Sequence, residues 1–201
     1  MDNRAMFKLS YGLFVLTARE GDKDNGCIIN TAAQVTTTPN RITIAVNKQN
    51  YTHDMIVRTG VFNVSILYES APFSIFQDFG FRSGRDCNKF DAAEPKRAEN
   101  GVAYVDNFTC AYISGKVVSM VDLGTHTLFV ADVTGAELIS ENEPVTYAYY
   151  HKNIKPAPQP APKTEKVAYR CRICGYVHEG ELPEGFVCPI CKHGAEDFER
   201  I

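Results

Sequence analysis

The chain has 201 residues, with 21 Lys and Arg against 24 Asp and Glu, a formal net charge of −3. That balance leaves no basic stripe for nucleic acid or an anionic membrane surface, and neither partner is expected. Its seven cysteines are an odd number and no secretory leader is visible, since the apolar run 9–18 is broken by Ser10, Tyr11, Gly12 and Thr17; a reducing cytoplasm is expected.

Residues 1–152 are long enough to bury one core of their own. Their apolar pattern predicts strands over 14–17, 42–46, 61–67, 111–121, 127–133 and 145–149. Turn signals separate them at 21–26, at Pro39-Asn40 and at Gly124-Thr125. One short helix is predicted over 53–58, with the Thr52 hydroxyl capping its first turn, and another over 72–79. Many strands and few helices predict a mainly β fold, a closed or partly closed antiparallel barrel. Cys27 falls in an apolar strand and reads as a buried structural thiol.

Small polar residues crowd the expected strand ends. Asn30, Thr31, Gln34, Val35 and Thr36 precede 42–46, and Asn47, Lys48, Asn50, Tyr51 and Thr52 follow it. Hydroxyls, a lysine and the free amides of a helix start can hold a phosphate, and Lys48 and Thr52 stand just before a helix. A third cluster, Ser83-Gly84-Arg85-Asp86-Cys87-Asn88-Lys89-Phe90, adds the cations Arg85 and Lys89 on another loop. Read on residues alone, such clusters are also what solvated turns look like. No G-x-G-x-x-G follows a strand, Gly80-Phe-Arg-Ser-Gly84 lacks the phosphate-loop lysine, and no Glu has a His three residues on. An ordinary Rossmann site and a di-iron bundle of the chain's own are thereby excluded.

From Asn153 to Glu165 proline recurs at every second position, at 156, 158, 160 and 162. Each fixes its own φ and pushes the residue before it out of the helical region. The segment 153–165 should be a polyproline II spacer of about 3.1 Å per residue, roughly 40 Å when extended, and the domain boundary.

Beyond it stand two C-x-x-C pairs, Cys171-Arg-Ile-Cys174 and Cys188-Pro-Ile-Cys191. Each can wrap a tight turn around a metal, and two facing turns complete a tetrahedron of thiolates suited to iron or zinc. The segment 166–201 is too short for apolar burial alone to stabilise it, and a metal bound only by the folded state supplies the difference.

The residues around the ligands, Tyr169-Arg-Cys171-Arg-Ile-Cys174-Gly175-Tyr176 and Leu182-Pro183-Glu-Gly185-Phe186-Val-Cys188-Pro189-Ile-Cys191, closing with Asp197-Phe198-Glu199, resemble rubredoxin in its shortened, modular form. Tyr169, Tyr176, Phe186 and Phe198 match the small aromatic core of that family. The resemblance implies one iron on Cys171, Cys174, Cys188 and Cys191, with His178 and His193 as non-ligands. A zinc ribbon of the same ligand geometry is the alternative. Lys192 stands where the family usually has glycine.

The larger part resembles the flavin-reductase family, nearest its flavoredoxin-like branch. The motifs are Gly26-Cys-Ile-Ile-Asn30-Thr31 with Gln34, Thr36 and Pro39; Asn47-Lys-Gln-Asn50-Tyr51-Thr52-His53; Ser83-Gly84-Arg85-Asp86 with Lys89-Phe90; and Leu123-Gly124-Thr125-His126. The resemblance implies a split barrel that dimerises and binds FMN between subunits. Asn30, Thr31, Gln34, Val35 and Thr36 would border the flavin ring and ribityl chain, and Asn47, Lys48, Asn50, Tyr51 and Thr52 the phosphate. Arg85 and Lys89 would come from this loop or a neighbouring subunit's. His126 would be the catalytic candidate beside the flavin, although Thr125 replaces the aspartate that much of the family carries before it.

Fusions of the two modules resemble the high-molecular-weight rubredoxins. That resemblance implies an electron-transfer enzyme that takes a hydride from NADH or NADPH onto FMN and passes electrons to iron. The acceptor would be a flavodiiron protein that reduces dioxygen or nitric oxide. A reductase releasing free reduced flavin, and a non-catalytic flavin- and zinc-binding interaction protein, are the alternatives.

Overall fold

In β1 (Phe14–Glu20) successive side chains face opposite ways, and Phe14, Val15 and Leu16 are all buried. Phe14 and Leu16 join a core with Ile44, Val46, Met55, Phe62 and Phe129, while Val15 joins a second with Ile75, Phe76, Phe79 and Tyr150. This strand is apolar on both faces because the barrel lies on one side and a helix on the other.

The computed structural model describes residues 2–90, 94–156 and 168–201. They form two compact units, Met1–Lys155 and Pro156–Ile201. The proline-rich part of the expected spacer, from residue 157 on, lies outside the described residues.

The larger unit carries β1, β2 (Lys23–Ile29), β3 (Ala33–Thr37), β4 (Asn40–Asn47), β5 (Val61–Leu67), β6 (Thr109–Asp122) and β7 (His126–Leu138). They form one antiparallel sheet in the order β2-β1-β5-β6-β7-β4-β3, the flavin reductase-type split barrel. Helix α1 (Tyr51–Thr59) buries Met55 and Ile56 in the first core, and α2 (Phe73–Gly80) buries Ile75, Phe76 and Phe79 in the second. Among the described residues no helix is long and apolar enough to cross a membrane.

Four local expectations are corrected. Residues 23–26, read as turn, belong to β2: only Gly21 and Asp22 turn, and Asp24, Asn25 and Gly26 pair with Arg19, Ala18 and Thr17. Residues 145–149, read as strand, are not one. Val145 N–H donates to the Leu67 carbonyl at 2.8 Å, then the Thr146 hydroxyl accepts from Tyr149 N–H at 3.1 Å and caps a helical turn over Tyr147–Tyr149. A π-helical turn, Tyr150–Ile154, follows, so residues 153 and 154 end a helix instead of opening an extended spacer. Burial of Tyr150 against the Phe76 ring, 4.6 Å away between centroids, outweighs the β propensity of the tyrosines. Finally, Thr52 does not cap α1. Asn50 holds the N-cap position without a side-chain bond, and the Thr52 side chain is fully buried within the helix.

The smaller unit is a three-stranded sheet of β8 (Ala168–Cys171), β9 (Val177–Glu179) and β10 (Phe198–Arg200), in the order β10-β8-β9. The Phe186 ring meets Phe198 edge-on at 5.4 Å and His178 at 4.6 Å. So small a core fits a unit held by its metal.

Candidate functional site

In the larger unit a cavity of about 260 Å³ opens where β2, the start of α1, the end of α2 and the loop after it converge. Asn50, Tyr51, Thr52 and Lys89 line it, with Asn25, Gly26, Cys27, Ser83 and Gly84. Arg85 adjoins it: its guanidinium lies 5.2 Å from the Tyr51 ring centre and donates to the Gln49 carbonyl at 2.9 Å and to Asp54 at 2.6 Å. Lys89 donates to the Gly26 and Phe79 carbonyls at 2.8 and 3.1 Å, tying its loop to β2 and α2. Desolvation holds the Lys89 ammonium below its usual pKa.

The wall behind these groups was hidden in a stretch that reads as a turn. Asn25 is only 2 % exposed and donates to the Thr52 hydroxyl at 2.9 Å. Its Oδ1 is buried without a hydrogen-bond partner among the described residues, an unsatisfied acceptor at the edge of the cavity. Gly84 packs on it so closely that a Cβ there would sit 2.0 Å from Oδ1. Cys27 lines the same wall, and burial pushes its thiol up to about 11 although the Thr52 hydroxyl and Lys89 favour the thiolate.

The other residues anticipated for a flavin lie elsewhere. Thr31 Oγ1 donates to the Ala45 carbonyl at 2.7 Å, next to the half-buried Asn30. Gln34 lines a more apolar cavity of about 320 Å³ with Phe14, Ile42, Ile66 and Val133, while Val35 is exposed and Thr36 bonds the Pro39 carbonyl. Asn47 pairs with His126 across β4 and β7. Lys48 forms an ion pair with Asp122 at 2.7 Å, which holds that carboxylate below its usual pKa. His126 Nδ1 lies 2.9 Å from Thr125 Oγ1. The anticipated set is thus divided among the first cavity, the apolar one and the β4–β7 strand end.

Sequence reasoning also passed over His53, which is buried and bridges α1 to β7. Its Nε2 lies 2.9 Å from Thr127 Oγ1 and its Nδ1 3.1 Å from Asp54, the carboxylate that receives Arg85.

In the smaller unit the four cysteine sulfurs lie within 4.8 Å of one another. Cys171 and Cys191 are 3.6 Å apart and Cys174 and Cys188 3.5 Å, with all four thiols free of disulfides. A metal about 2.3 Å from each of four sulfurs requires edges of about 3.8 Å, so the residues fit the ion. Burial opposes ionisation of Cys188, but the Cys191 and Ile190 amides and the neighbouring thiols pull it down to about 6. The backbone amides of this turn thus favour negative charge on the Cys188 sulfur.

Comparison with known proteins agrees with both halves. Residues 6–158 match the flavin reductase like domain, and residues 169–199 the rubrerythrin, rubredoxin-like domain. The chain is 37% identical to a high molecular weight rubredoxin from Moorella thermoacetica, covering 100% of both chains. It is 40% identical to a ferric-chelate reductase (NAD(P)H) from Archaeoglobus fulgidus, over 75% of this chain and 89% of that one. The crystal structure of flavoredoxin from Methanosarcina acetivorans shares the fold with a TM-score of 0.59 at 22% identity, covering 68% of this chain and 75% of that one. The matches make the protein an oxidoreductase with a flavin-binding fold and four cysteines set for a metal. The chain belongs to the flavin reductase-like family and carries a rubredoxin-like domain at its C-terminal end.

Proposed function

We propose that the protein takes electrons from NADH or NADPH through FMN to one iron on Cys171, Cys174, Cys188 and Cys191, and on to a separate acceptor. The observation that carries this reading is the presence, in one chain, of a flavin reductase-like barrel and a thiol cluster with tetrahedral metal spacing. Bound flavin converts a two-electron hydride into single electrons, and a four-thiolate iron stores one electron without changing its ligands.

The protein's own residues bind and orient. Asn50, Tyr51, Thr52 and Lys89 hold the phosphate end in the first cavity, with Arg85 fixed beside it through Asp54 and Gln49. Asn25 offers its unpartnered oxygen to a hydroxyl of the polyol chain. Cys27 remains a neutral thiol and adds no charge against the phosphate. Asn30, Thr31, Gln34, Val35, Thr36, Asn47 and Lys48 border the remainder of the cofactor, and His126 is the acid–base group nearest the ring. The exposed apolar side chains of β6, Val118, Met120 and Val121, support a homodimer that completes the site. The protein works in the cytoplasm, and a flavodiiron protein that reduces dioxygen or nitric oxide is the acceptor proposed.

Cys174→Ser separates the two stages. Anaerobic NADH-driven flavin reduction should stay within about twofold of wild type while transfer to an external acceptor is lost. Equal loss of both activities contradicts modules working in series.

A further inference from the structure

Two backbone turns present the four sulfurs, and they are copies of one another. In the first, Gly175 N–H donates to the Cys171 carbonyl at 2.9 Å and Cys171 N–H to the Tyr176 carbonyl at 2.8 Å. In the second, Lys192 N–H donates to the Cys188 carbonyl at 3.0 Å and Cys188 N–H to the His193 carbonyl at 2.8 Å. The residue after the second cysteine has φ 77° at Gly175 and 64° at Lys192. Glycine takes this left-handed conformation freely, whereas an L side chain adopts it only under strain. Among the described residues only Phe108 and Lys192 hold a positive φ without being glycine. Strain of this kind persists where the surrounding structure enforces it, and it collects at functional positions.

What lysine adds at that position is a charge. Its Nζ donates to the Pro189 carbonyl at 3.2 Å, so the side chain folds back over its own turn, onto the residue between Cys188 and Ile190. The neighbouring cations are neutralised: Arg170 pairs with Glu199, and Arg172 lies 3.9 Å from Asp197 while donating to the Glu196 carbonyl. Lys192 is in no ion pair among the described residues, and the carbonyl that holds it leaves its charge uncancelled.

Four thiolates around a ferric ion carry a net charge of −1, and around a ferrous ion −2; one electron arrives and no bond breaks. A fixed positive charge stabilises the −2 state more than the −1 state. We propose that Lys192 raises the reduction potential of the metal centre and so favours electron flow from flavin to iron. This rests on the iron reading above and adds a tuning residue to it.

The test is a redox titration of full-length wild type, Lys192→Met, Lys192→Gly and Lys192→Arg, following ferric-thiolate absorption against a dye of known potential. Loss of the charge in the Met and Gly variants should shift the equilibrium with the dye toward ferric by roughly three- to tenfold. For a one-electron couple that is roughly 30–60 mV. The Arg variant should stay at the wild-type value, and added salt should narrow the gap. A Met variant at the wild-type potential overturns the proposal. So does a shift in the Gly variant alone, which would assign the effect to the backbone. Metal analysis showing zinc and no iron in wild type would instead overturn the iron reading itself, before any potential is measured.

Discussion

At the scale of single residues, what the sequence reveals depends on whether a group's chemistry is local. The cluster of four cysteines is legible because each pair closes its own turn within a few residues. Asn25 is not, because Asp-Asn-Gly looks like a turn until Thr17 and Ala18 pair with it across the sheet. Thr52 looks like a cap and is instead the buried acceptor of the Asn25 amide. Cys27, one residue beyond Gly26, gives this wall a measurable signature. Burial raises its thiol from 9.0 in the unfolded chain to about 11 in the folded protein. Below 9.0 both states hold the proton and this stabilisation is fully present; between the two values the unfolded chain alone loses it, so stability falls as pH rises. The expected loss from Cys27 is up to about 3 kcal/mol across that window. Urea denaturation at pH 8 and at pH 11 should show a smaller pH difference in Cys27→Ala than in wild type. Identical differences would mean that the thiol is not sealed in the wall.

Among the elements, long apolar runs announce themselves and short or context-bound ones do not. The predicted strands 61–67, 111–121 and 127–133 all lie within β5, β6 and β7. β3 was missed because its five residues are all exposed and polar enough to read as loop. The segment 145–149 reads as a strand because its tyrosines favour extended structure; the Thr146 cap, and the packing of the next residue, Tyr150, on Phe76, decide otherwise. The loop after α2 is the element on which the candidate cavity depends, since Lys89 anchors it and Gly84 seats it on Asn25. Gly84→Ala should lift that loop and weaken FMN binding about tenfold, read by quenching of flavin fluorescence. Asn25→Ala should cost less binding in that background than in wild type, a coupling expected of residues in contact. An unchanged affinity in the single variant would place the phosphate elsewhere.

For the whole molecule, the two modules were legible, each from motifs that close within its own stretch of chain. Assembly was anticipated only through the family resemblance, because it depends on surfaces that no local pattern describes. Val118, Met120 and Val121 on β6 and Leu123 beyond it are 45–55 % exposed, a stretch of apolar surface on which the proposed homodimer rests. Light scattering should give a dimer for wild type and a monomer for Met120→Glu; a monomeric wild type would remove the second subunit from the flavin site. The central claim is that electrons entering at the barrel arrive at sulfur-bound iron. Its most direct test is the absorption spectrum of anaerobic protein, expressed with ample iron, before and after NADH. Flavin bands and ferric-thiolate absorption should bleach together; ferric absorption that persists while the flavin bleaches, or a C-terminal unit holding only zinc, would contradict electron transfer between the modules.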